Sequence, residues 1–295
     1  MNRKFSNKTA ICIFILPAFI LYTVIVIFPI FLSGYYSTLK WDGIGKSVFV
    51  GFKNYVDLFI NNNDGFTKAV MNSFILAGLN VFVQLPIALI FALILARGIK
   101  GESFYRTAYF IPVIISTVVI GELWIKIYNS DYGLLNTVLT GIGLKMLNHQ
   151  WLSDTRVALM AVFIPVVWQY VGYHMLLMYA GAKSIPEDIF DAARIDGATG
   201  IKTAFRITIP LIKPVIRVCI VFAAVGSLKF FDLVYILTNG GPLHSTEVPS
   251  TLLYSTVFLK YMYGYGSSMA MFIIVECLLM TFIIQGFFKS GDSTY

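Results

Sequence analysis

Long apolar runs separated by shorter polar stretches dominate the pattern of hydrophobic and polar positions along the chain. Each run is longer than the roughly 18 residues that a helix needs to cross the hydrocarbon core of a bilayer. A buried helix of a soluble protein rarely needs an apolar run of that length. The runs predict six membrane-spanning helices, at about Ile11–Ser37, Val70–Ala96, Thr107–Tyr128, Val157–Gly181, Pro214–Leu237 and Ser268–Phe288.

The composition agrees with a membrane environment. Hydrophobic residues make up 58% of the 295 residues and charged residues only 13%, whereas soluble domains carry about 25% charged residues. We therefore expect an all-α membrane protein with a single transmembrane domain over residues 1–295 and no separate soluble domain. The first run follows Arg3, Lys4 and Lys8 but is too long for a signal peptide and lacks a small-residue cleavage site, so we expect it to remain as an anchor.

The basic residues predict the orientation of the spans, because Lys and Arg concentrate in cytoplasmic connections. One side carries the larger set: Arg3, Lys4, Lys8, Arg97, Lys100, Arg106, Lys183, Arg194, Lys202, Arg206, Lys213, Arg217 and Lys289. The connections on the other side carry the smaller set: Lys40, Lys46, Lys53, Lys68, Lys145, Arg156 and Lys260. Both termini and the connection between spans four and five are therefore expected in the cytoplasm.

The net charge of +7 would suggest a nucleic-acid partner in a soluble protein. Here the basic residues flank apolar runs, as membrane orientation requires, so no nucleic-acid partner is predicted. Cys12, Cys219 and Cys277 lie inside apolar runs without paired or metal-ligand spacing, and we interpret them as buried free thiols.

Residues for enzyme chemistry are not grouped in the sequence. His149, His174 and His244 are far apart, and no Gly-rich phosphate loop with Gly-Lys-Ser/Thr occurs. We therefore expect no catalytic residue, no metal site and no cofactor in this chain.

The connection between the fourth and fifth spans, Ile185–Pro210, holds the most informative pattern. Ser184 and Glu187 have the spacing of a capping box, and Pro186 stands in the first turn, so a helix is expected to begin near Ile185. Gly197 suits the left-handed residue that ends a helix. A second helix is expected from about Ile201 to Ile207, ending before Pro210, and Pro214 is expected to open the fifth span.

The first of these helices has two kinds of surface. Ala192 and Ala193 give it a small, smooth patch. Larger apolar side chains are expected to anchor it on the membrane domain: Ile189, Phe190 and Ile195. The pattern thus predicts a helical peg on the cytoplasmic side.

This segment resembles the signature loop of permease subunits in binding-protein-dependent ABC importers, in which Glu-Ala-Ala is followed by Gly and later by Ile-x-x-Pro. Here the triplet is Asp191-Ala192-Ala193, and the ending is Ile207-Thr208-Ile209-Pro210. Asp191 replaces the usual Glu and keeps its charge. The resemblance implies a loop that seats in a cleft of a separate ATPase, with these docking residues: Glu187, Asp191, Ala192, Ala193, Asp196 and Gly197. The alternative is a hairpin that merely links two spans.

Further stretches resemble the sugar-type branch of these permeases, which includes maltose and polyol-phosphate systems. They are FVGFKNYVDLF (Phe49–Phe59), Asn72-Ser73, FYRTAYFIPVIIS (Phe104–Ser116), YGLLN (Tyr132–Asn136) and FDLVYILTNGGP (Phe231–Pro242). The resemblance implies a bacterial plasma-membrane subunit that works with a second homologous permease, two ATPase subunits that carry ATP and Mg²⁺, and an extracytoplasmic solute-binding protein. The implied substrate is a carbohydrate, with a polyol phosphate as the alternative.

The fourth span contains WQYVGYHM (Trp168–Met175), whose aromatic faces and polar tips suit a polyhydroxylated solute. Maltose-type permeases, which this chain resembles, hold sugar near the middle of the fourth and fifth spans. Carried over, that implies a substrate pathway along these residues: Trp168, Gln169, Tyr170, Tyr173 and Ser227. His174 is interpreted as a packing residue, with a place in the cavity as the weaker alternative.

Ionisable side chains within spans are costly and often mark transport pathways. The candidates here are Glu122, Lys229, Asp232 and Glu276. Lys229 and Asp232 are three residues apart, and we expect them to neutralise each other on one helix face. The rival class is an ion-gradient-driven secondary transporter, which would use an embedded carboxylate and broken helices in matching halves. Glu276 and Asp232 suit that class, but matching halves are missing.

Overall fold

The computed structural model describes residues 8–62 and 64–289, which form helices and one antiparallel pair of short strands. The first part of the chain contains α1 (Lys8–Tyr22), α2 (Phe28–Tyr36), β1 (Leu39–Lys40), β2 (Val48–Phe49), α3 (Lys53–Val56), α4 (Phe66–Leu79), α5 (Leu85–Ala96), α6 (Glu102–Ile114), α7 (Thr117–Ile127) and α8 (Leu134–Gly141). The second part contains α9 (Ala158–Lys183), α10 (Glu187–Ile195), α11 (Ile201–Thr203), α12 (Ile209–Leu211), α13 (Lys213–Leu228), α14 (Asp232–Thr238), α15 (Pro249–Tyr254) and α16 (Tyr263–Lys289).

Several of these helices are joined through π-helical turns, which insert a residue into a helix without ending it. One such turn joins α1 to α2, one joins α4 to α5 and one joins α11 to α12: Thr23–Ile27, Asn80–Gln84 and Ala204–Thr208. The first two spans therefore remain single helical stretches, Ile13–Tyr36 and Phe66–Ala96.

Four helical stretches among the described residues are long and apolar enough to cross a membrane: Ile13–Tyr36, Phe66–Ala96, Ala158–Lys183 and Tyr263–Phe288. Two bent helix pairs raise the number to six if each pair forms one span. The helical membrane fold predicted from the hydropathy pattern is confirmed, and six spans agree with its length and composition.

The third predicted span is not straight. Its two helices, α6 and α7, meet at 95°. Pro112 lies inside α6, and Ile115 is extended, with ψ of 139°. A proline in a helix interior removes a backbone hydrogen bond and clashes with the preceding turn, which favours a break nearby. Hydropathy measures the length of an apolar run but not its direction, so it could not predict that the third span, about Thr107–Tyr128, consists of two helices.

The fifth predicted span also differs from the structure. Helix α13 ends at Leu228, and α14 begins at Asp232. Lys229 and Asp232 therefore belong to different helices, and no ion pair joins them among the residues that the structure describes. Both side chains are exposed. The prediction that they neutralise each other on one helix face was wrong because the chain leaves the helix between them.

The described residues fall into two compact units, the first drawn from Met1–Asp64 and Leu253–Ile274. In this unit Leu39 pairs with Phe49 in the strand pair, and the Asn54 amide donates to the carbonyl oxygens of Ser37 at 2.8 Å and Leu39 at 2.9 Å. Asn54 thus fixes the connection that follows the first span.

The turn between the two strands is held by an aspartate. Its carboxylate, on Asp42, accepts hydrogen bonds from the amides of Gly45 at 3.0 Å and Ile44 at 3.1 Å. These bonds hold the pKa of the Asp42 carboxyl below its ordinary value. The exposed turn therefore keeps its shape through local hydrogen bonds.

The second unit, drawn from Gly65–Leu252 and Val275–Tyr295, contains the larger core. One cluster packs side chains of α5, α9 and α13: Leu85, Ala88, Ala92, Leu95, Val171, Met175, Met178, Tyr179, Cys219 and Ala223. A second cluster packs around α7, α9 and α14: Leu76, Ile120, Val162, Phe163, Val166, Leu233, Val234, Leu237 and Val248. Helix α9 contributes to both clusters and is the central element of this unit.

Two of the three cysteines can be placed. Cys219 is buried and Cys277 is half-buried, and both are free thiols. The side chain of Cys12 lies outside the part of the chain that the structure describes, as do those of four basic residues that predict the orientation: Arg3, Lys4, Lys8 and Lys289.

Candidate functional site

The segment 185–210 begins differently from its prediction. Helix α10 starts at Glu187, and Pro186 precedes it with an extended ψ of 144° and no side-chain cap. The Ser184 hydroxyl instead donates to the carbonyl oxygen of Gly181 at 2.8 Å. The predicted capping box was therefore wrong, because Ser184 completes the last turn of α9 rather than the first turn of α10.

The end of α10 agrees with its prediction. Gly197 has φ of +72°, in the left-handed region that glycine adopts without strain. The amide of Ala198 donates to the carbonyl oxygen of Ala193 at 2.8 Å, and that of Gly197 to Arg194 at 3.1 Å. These two bonds form a Schellman motif, which stops the helix and reverses the chain.

The two faces of α10 are unequal. Ala193 is buried and Phe190 half-buried, so these two side chains hold the helix against its own chain. Ile195 is 88% exposed and Ile189 is 38% exposed. The prediction that Ile195 anchors the helix was wrong, since helical periodicity turns it away from the face that Ala193 and Phe190 share. Ile189 lies at the edge of that face, one turn before Ala193, and is more than half buried.

The outer face of α10 carries exposed residues at helical spacing: Asp188, Asp191, Ala192 and Ile195. Asp191 pairs with Arg194 at 2.7 Å, and both side chains are exposed. Glu187, Asp196 and Gly197 are exposed as well. Of the six predicted docking residues, Ala193 alone is buried within this chain. The other five are accessible to a partner.

The rest of the segment is more helical than predicted. A π-helical turn, Ala204–Thr208, continues α11 into α12, which runs through Pro210 to Leu211. The helix does not end before Pro210, because the π-helical turn changes the hydrogen-bond register just ahead of the proline ring. The chain then bends by 73° into α13, where Pro214 occupies the first turn as predicted.

A cavity of about 840 Å³ separates the segment from the ends of α5 and α9. Three basic residues and one acidic residue stand among its lining: Arg97, Lys183, Arg194 and Glu187. Phe190 lines it as well. The segment thus rests on the helical bundle through few contacts and leaves its outer face uncovered.

The structure separates the predicted substrate residues of α9. Successive residues of an α-helix are about 100° apart, so Trp168 lies about 160° from Tyr170 around the axis. Trp168 lines an apolar pocket of about 500 Å³ with Phe91, Tyr109 and Trp124. The centroid of its ring lies 6.2 Å from that of the Trp124 ring. Trp168 therefore faces a different environment from the other three positions.

Gln169, Tyr170 and Tyr173 point toward a polar region. The Gln169 amide nitrogen donates to the hydroxyl oxygen of Thr117 at 3.3 Å, and its amide oxygen has no hydrogen-bond partner in the described part of the chain. Tyr170 lies near Thr117 as well, and the charge of Asp232 is close enough to act on its hydroxyl. Thr117 was missed from the sequence, although it directly follows the break after Ile115.

Tyr173 extends this region toward α13. It is half-buried, and its ring centroid lies 6.5 Å from that of Phe222, which is 49% exposed. The neighbouring His174 is buried, and its Nδ1 atom lacks a partner among the described residues. The packing interpretation of His174 agrees with this burial.

Ser227 is buried, and its hydroxyl is engaged twice within the chain. It donates to the carbonyl oxygen of Ala223 at 2.7 Å and accepts from the Asn80 amide at 2.6 Å. Asn80 begins the π-helical turn of the second span. This hydrogen bond joins the second span to the fifth. The two residues are 147 positions apart, so the sequence alone gives no sign of the contact.

Replacing Ser227 with alanine is expected to lower the free energy of unfolding by about 1 kcal/mol, because hydrogen bonds between membrane helices contribute about that much. The KM for uptake should stay unchanged. Denaturant titration in detergent and uptake assays check the two values, with Ser103→Ala, at an exposed position of α6, as the matched control. A raised KM at unchanged stability would contradict the structural role and place Ser227 in the substrate pathway.

The other two ionisable candidates, Glu122 and Glu276, differ in their exposure. Glu122 is exposed on α7. Glu276 is only 5% exposed on α16, and neither of its carboxylate oxygens has a hydrogen-bond partner among the described residues. Within the described part of the chain, no three His, Cys, Asp or Glu side chains lie close enough together to hold a metal ion.

Two stretches singled out in the sequence meet on the side of the second unit away from the segment 185–210. The Asn72 amide donates to the carbonyl oxygens of Ser245 at 3.0 Å and Glu247 at 2.8 Å. The turn that contains Gly240 and Pro242 packs on the same Glu247, since a Cβ at Gly240 would stand 2.3 Å from its carboxylate. These contacts fix the connection that follows α14.

Comparison with known proteins gives this architecture a family. A family model described as binding-protein-dependent transport system inner membrane component matches residues 3–290. The probable ABC transporter permease protein YurN of Bacillus subtilis is 37% identical, over 97% of this chain and 98% of that protein. The diacetylchitobiose uptake system permease protein NgcF of Streptomyces coelicolor is 30% identical, over 95% of this chain and 82% of that protein.

A solved structure has the same fold. A chain of a bacterial alginate ABC transporter, crystallised with an alginate pentasaccharide-bound periplasmic protein, superposes with a TM-score of 0.83 over 97% of this chain and 96% of that one, at 23% identity.

The apolar helices and the family match together define a membrane permease. The chain belongs to the family of inner-membrane components of binding-protein-dependent transport systems. The resemblance that the sequence motifs indicated is thereby confirmed.

Proposed function

We propose that this chain is one permease subunit of an ABC importer that moves a carbohydrate across the bacterial plasma membrane. The relatives and the structural neighbour support the class of substrate, since they include permeases for diacetylchitobiose and for alginate. The full assembly would contain a second homologous permease, two ATPase subunits that bind ATP and Mg²⁺, and an extracytoplasmic solute-binding protein.

The observation that carries the proposal is the uncovered outer face of α10. This face presents Ala192 and Ile195 between acidic side chains, on a helix that a Schellman motif ends at Gly197. A short helix with a small-residue face fits a complementary cleft, and burial of its apolar atoms would stabilise the contact. We infer that the ATPase subunit provides this cleft on the cytoplasmic side, where the distribution of basic residues also predicts both termini.

Transport would proceed by alternating access. ATP binding closes the two ATPase subunits, the docked α10 helices follow, and the membrane cavity opens outward to receive the solute. Hydrolysis and release reverse the motion. This chain contributes the mechanical link and the pathway, and the chemistry of ATP takes place on its partners.

Gln169, Tyr170, Tyr173 and Asp232 are the positions that suit the solute. The unpartnered amide oxygen of Gln169 and the carboxylate of Asp232 accept hydrogen bonds from hydroxyl groups, and tyrosine rings pack on sugar faces. The negative charge of Asp232 would repel a phosphate group. We therefore favour a neutral carbohydrate over a polyol phosphate.

Copurification tests the assembly. The complex expressed from this chain, the second permease and the ATPase should be isolated together, and its ATP hydrolysis in nanodiscs should rise severalfold when the solute-binding protein and its sugar are added. ATPase subunits that neither copurify nor respond to the binding protein would contradict the proposal.

Tyr173 and Trp168 provide a direct comparison of two predicted substrate positions. Tyr173→Leu is expected to raise the KM for uptake about tenfold, as the loss of about 1.4 kcal/mol of stacking and hydrogen bonding would do. Trp168→Leu should leave KM unchanged, because Trp168 lies in the apolar pocket. Uptake kinetics in proteoliposomes measure both values. The opposite ranking would place the sugar on the Trp168 side of α9.

A further inference from the structure

Four side chains connect the beginning of α6 to the end of α9. Glu102 and Arg106 lie in the first two turns of α6, and Tyr179 and Lys183 lie in the last two turns of α9. We call this group the α6–α9 clamp. It belongs neither to the docking face nor to the predicted substrate pathway.

The contacts of the clamp all involve Tyr179 or Glu102. The Tyr179 hydroxyl donates to Glu102, and Arg106 donates to the same hydroxyl at 3.3 Å. Lys183 pairs with the other carboxylate oxygen of Glu102 at 3.6 Å. Both cations also stand over the Tyr179 ring, Arg106 at 5.4 Å and Lys183 at 5.9 Å from its centroid. Lys183 thus contacts the Glu102 carboxylate and the aromatic face, and Arg106 contacts the Tyr179 hydroxyl and the same face.

The position of the clamp relates it to the segment 185–210. Lys183 is the last residue of α9, and α10 begins at Glu187 after a short turn. Tyr179 is only 8% exposed, while Lys183 and Glu102 are partly exposed. A single exposed ion pair contributes little, but a network around a buried hydroxyl holds a defined geometry. The clamp therefore lies beside the turn that leads from α9 into α10.

A second contact fastens the same two helices nearer the middle of the bundle. A Cβ atom at Gly172 would stand 1.9 Å from the carbonyl oxygen of Tyr109, so α9 and α6 touch backbone to backbone there. Tyr109 also stacks on Phe91 at 4.7 Å. Helix α6 is thus fixed to α9 at two heights, and its free end is the 95° bend at Ile115.

We propose that α6, α9 and α10 move as one arm, and that the α6–α9 clamp is the positioning element that carries displacement of α10 to the bend between α6 and α7. The arm ends beside Thr117, whose hydroxyl accepts a hydrogen bond from Gln169. Motion of α10 would thereby change the geometry of the polar region. The inference rests on the proposed function, in which a partner ATPase moves α10.

Tyr179→Phe tests the clamp with the smallest change, since it removes only the hydroxyl. Sugar transported per ATP hydrolysed should fall about fivefold or more, within the range of ordinary coupling energies. Tyr105→Phe, at a 43% exposed tyrosine of α6, is the matched control and should keep the wild-type ratio. A merely structural role would reduce the amount of assembled complex and leave the ratio unchanged, which would overturn the proposal.

A cross-link tests the single arm independently. The double variant Glu102→Cys/Lys183→Cys is made in a chain whose native cysteines are replaced by alanine. While its two thiols are reduced, it should transport less sugar per ATP hydrolysed than the cysteine-free parent. A short bifunctional thiol reagent should restore sugar transported per ATP to within about twofold of the cysteine-free parent, given the coupling range above. Failure to cross-link, or a ratio that stays low after cross-linking, would contradict the arm. If instead the parent complex showed no ATP-dependent uptake, the proposed function itself would fail.

Discussion

Replacing Ala192 with tryptophan should reduce ATP-dependent uptake about 10- to 100-fold without unfolding the chain. Ala192 is exposed on the outer face of α10 and belongs to no core cluster, so the larger side chain has room in the isolated subunit. In the proposed complex the same position meets the ATPase cleft, where overpacking costs about 1–3 kcal/mol, and each 1.4 kcal/mol changes affinity tenfold.

The measurement is ATPase copurification together with uptake in the same preparation. Lys100→Trp introduces the same side chain at another exposed position, in the connection between α5 and α6, and should leave both values near wild type. If Ala192→Trp bound the ATPase normally and transported normally, α10 would be the simple linker of the alternative interpretation.

Gly172→Ala should destabilise the protein by about 3 kcal/mol, the upper part of the range for overpacked positions. The added Cβ would stand 1.9 Å from the carbonyl oxygen of Tyr109 and 2.6 Å from its carbon. Both atoms are backbone, so neither moves aside as a flexible side chain would. Relief requires that α6 separate from α9, which disrupts the packing of Phe91 on Tyr109 as well.

Gly78→Ala is the matched control for this substitution. Gly78 also lies within a helix, α4, but a Cβ added at that position would have no neighbouring atom within 4 Å. Alanine there should be neutral or stabilise by up to about 1 kcal/mol. Unfolding in mixed micelles of increasing SDS content measures both variants. Equal midpoints for Gly172→Ala and wild type would contradict the close approach of the two helices.

The parts of the fold that sequence could predict are those governed by local physics. Apolar runs of sufficient length identified the spans, and Gly197 after a helical pattern identified the end of α10. The direction of each span could not be predicted in this way. The bend at Ile115 and the break after Leu228 change the direction of an apolar run, and hydropathy measures only the length of the run.

The candidate site shows the same division. That Trp168 and Tyr170 point in nearly opposite directions follows from helical periodicity, and the sequence alone could have separated them. The contact of Asn80 with Ser227 and that of Gln169 with Thr117 join distant segments. Sequence reasoning had no means of finding them. The exposure of Ile195 was missed because an apolar side chain near a membrane was assumed to pack on it.

The central claim is that α10 couples this permease to an ATPase, and uptake by reconstituted proteoliposomes tests it most directly. With binding protein and labelled sugar outside and ATP enclosed, the complex should accumulate sugar without any proton or sodium gradient. It should stop when a non-hydrolysable ATP analogue replaces ATP or when Ala192→Trp is introduced. Uptake that continued without ATP and followed an imposed ion gradient would contradict the account and identify a secondary transporter.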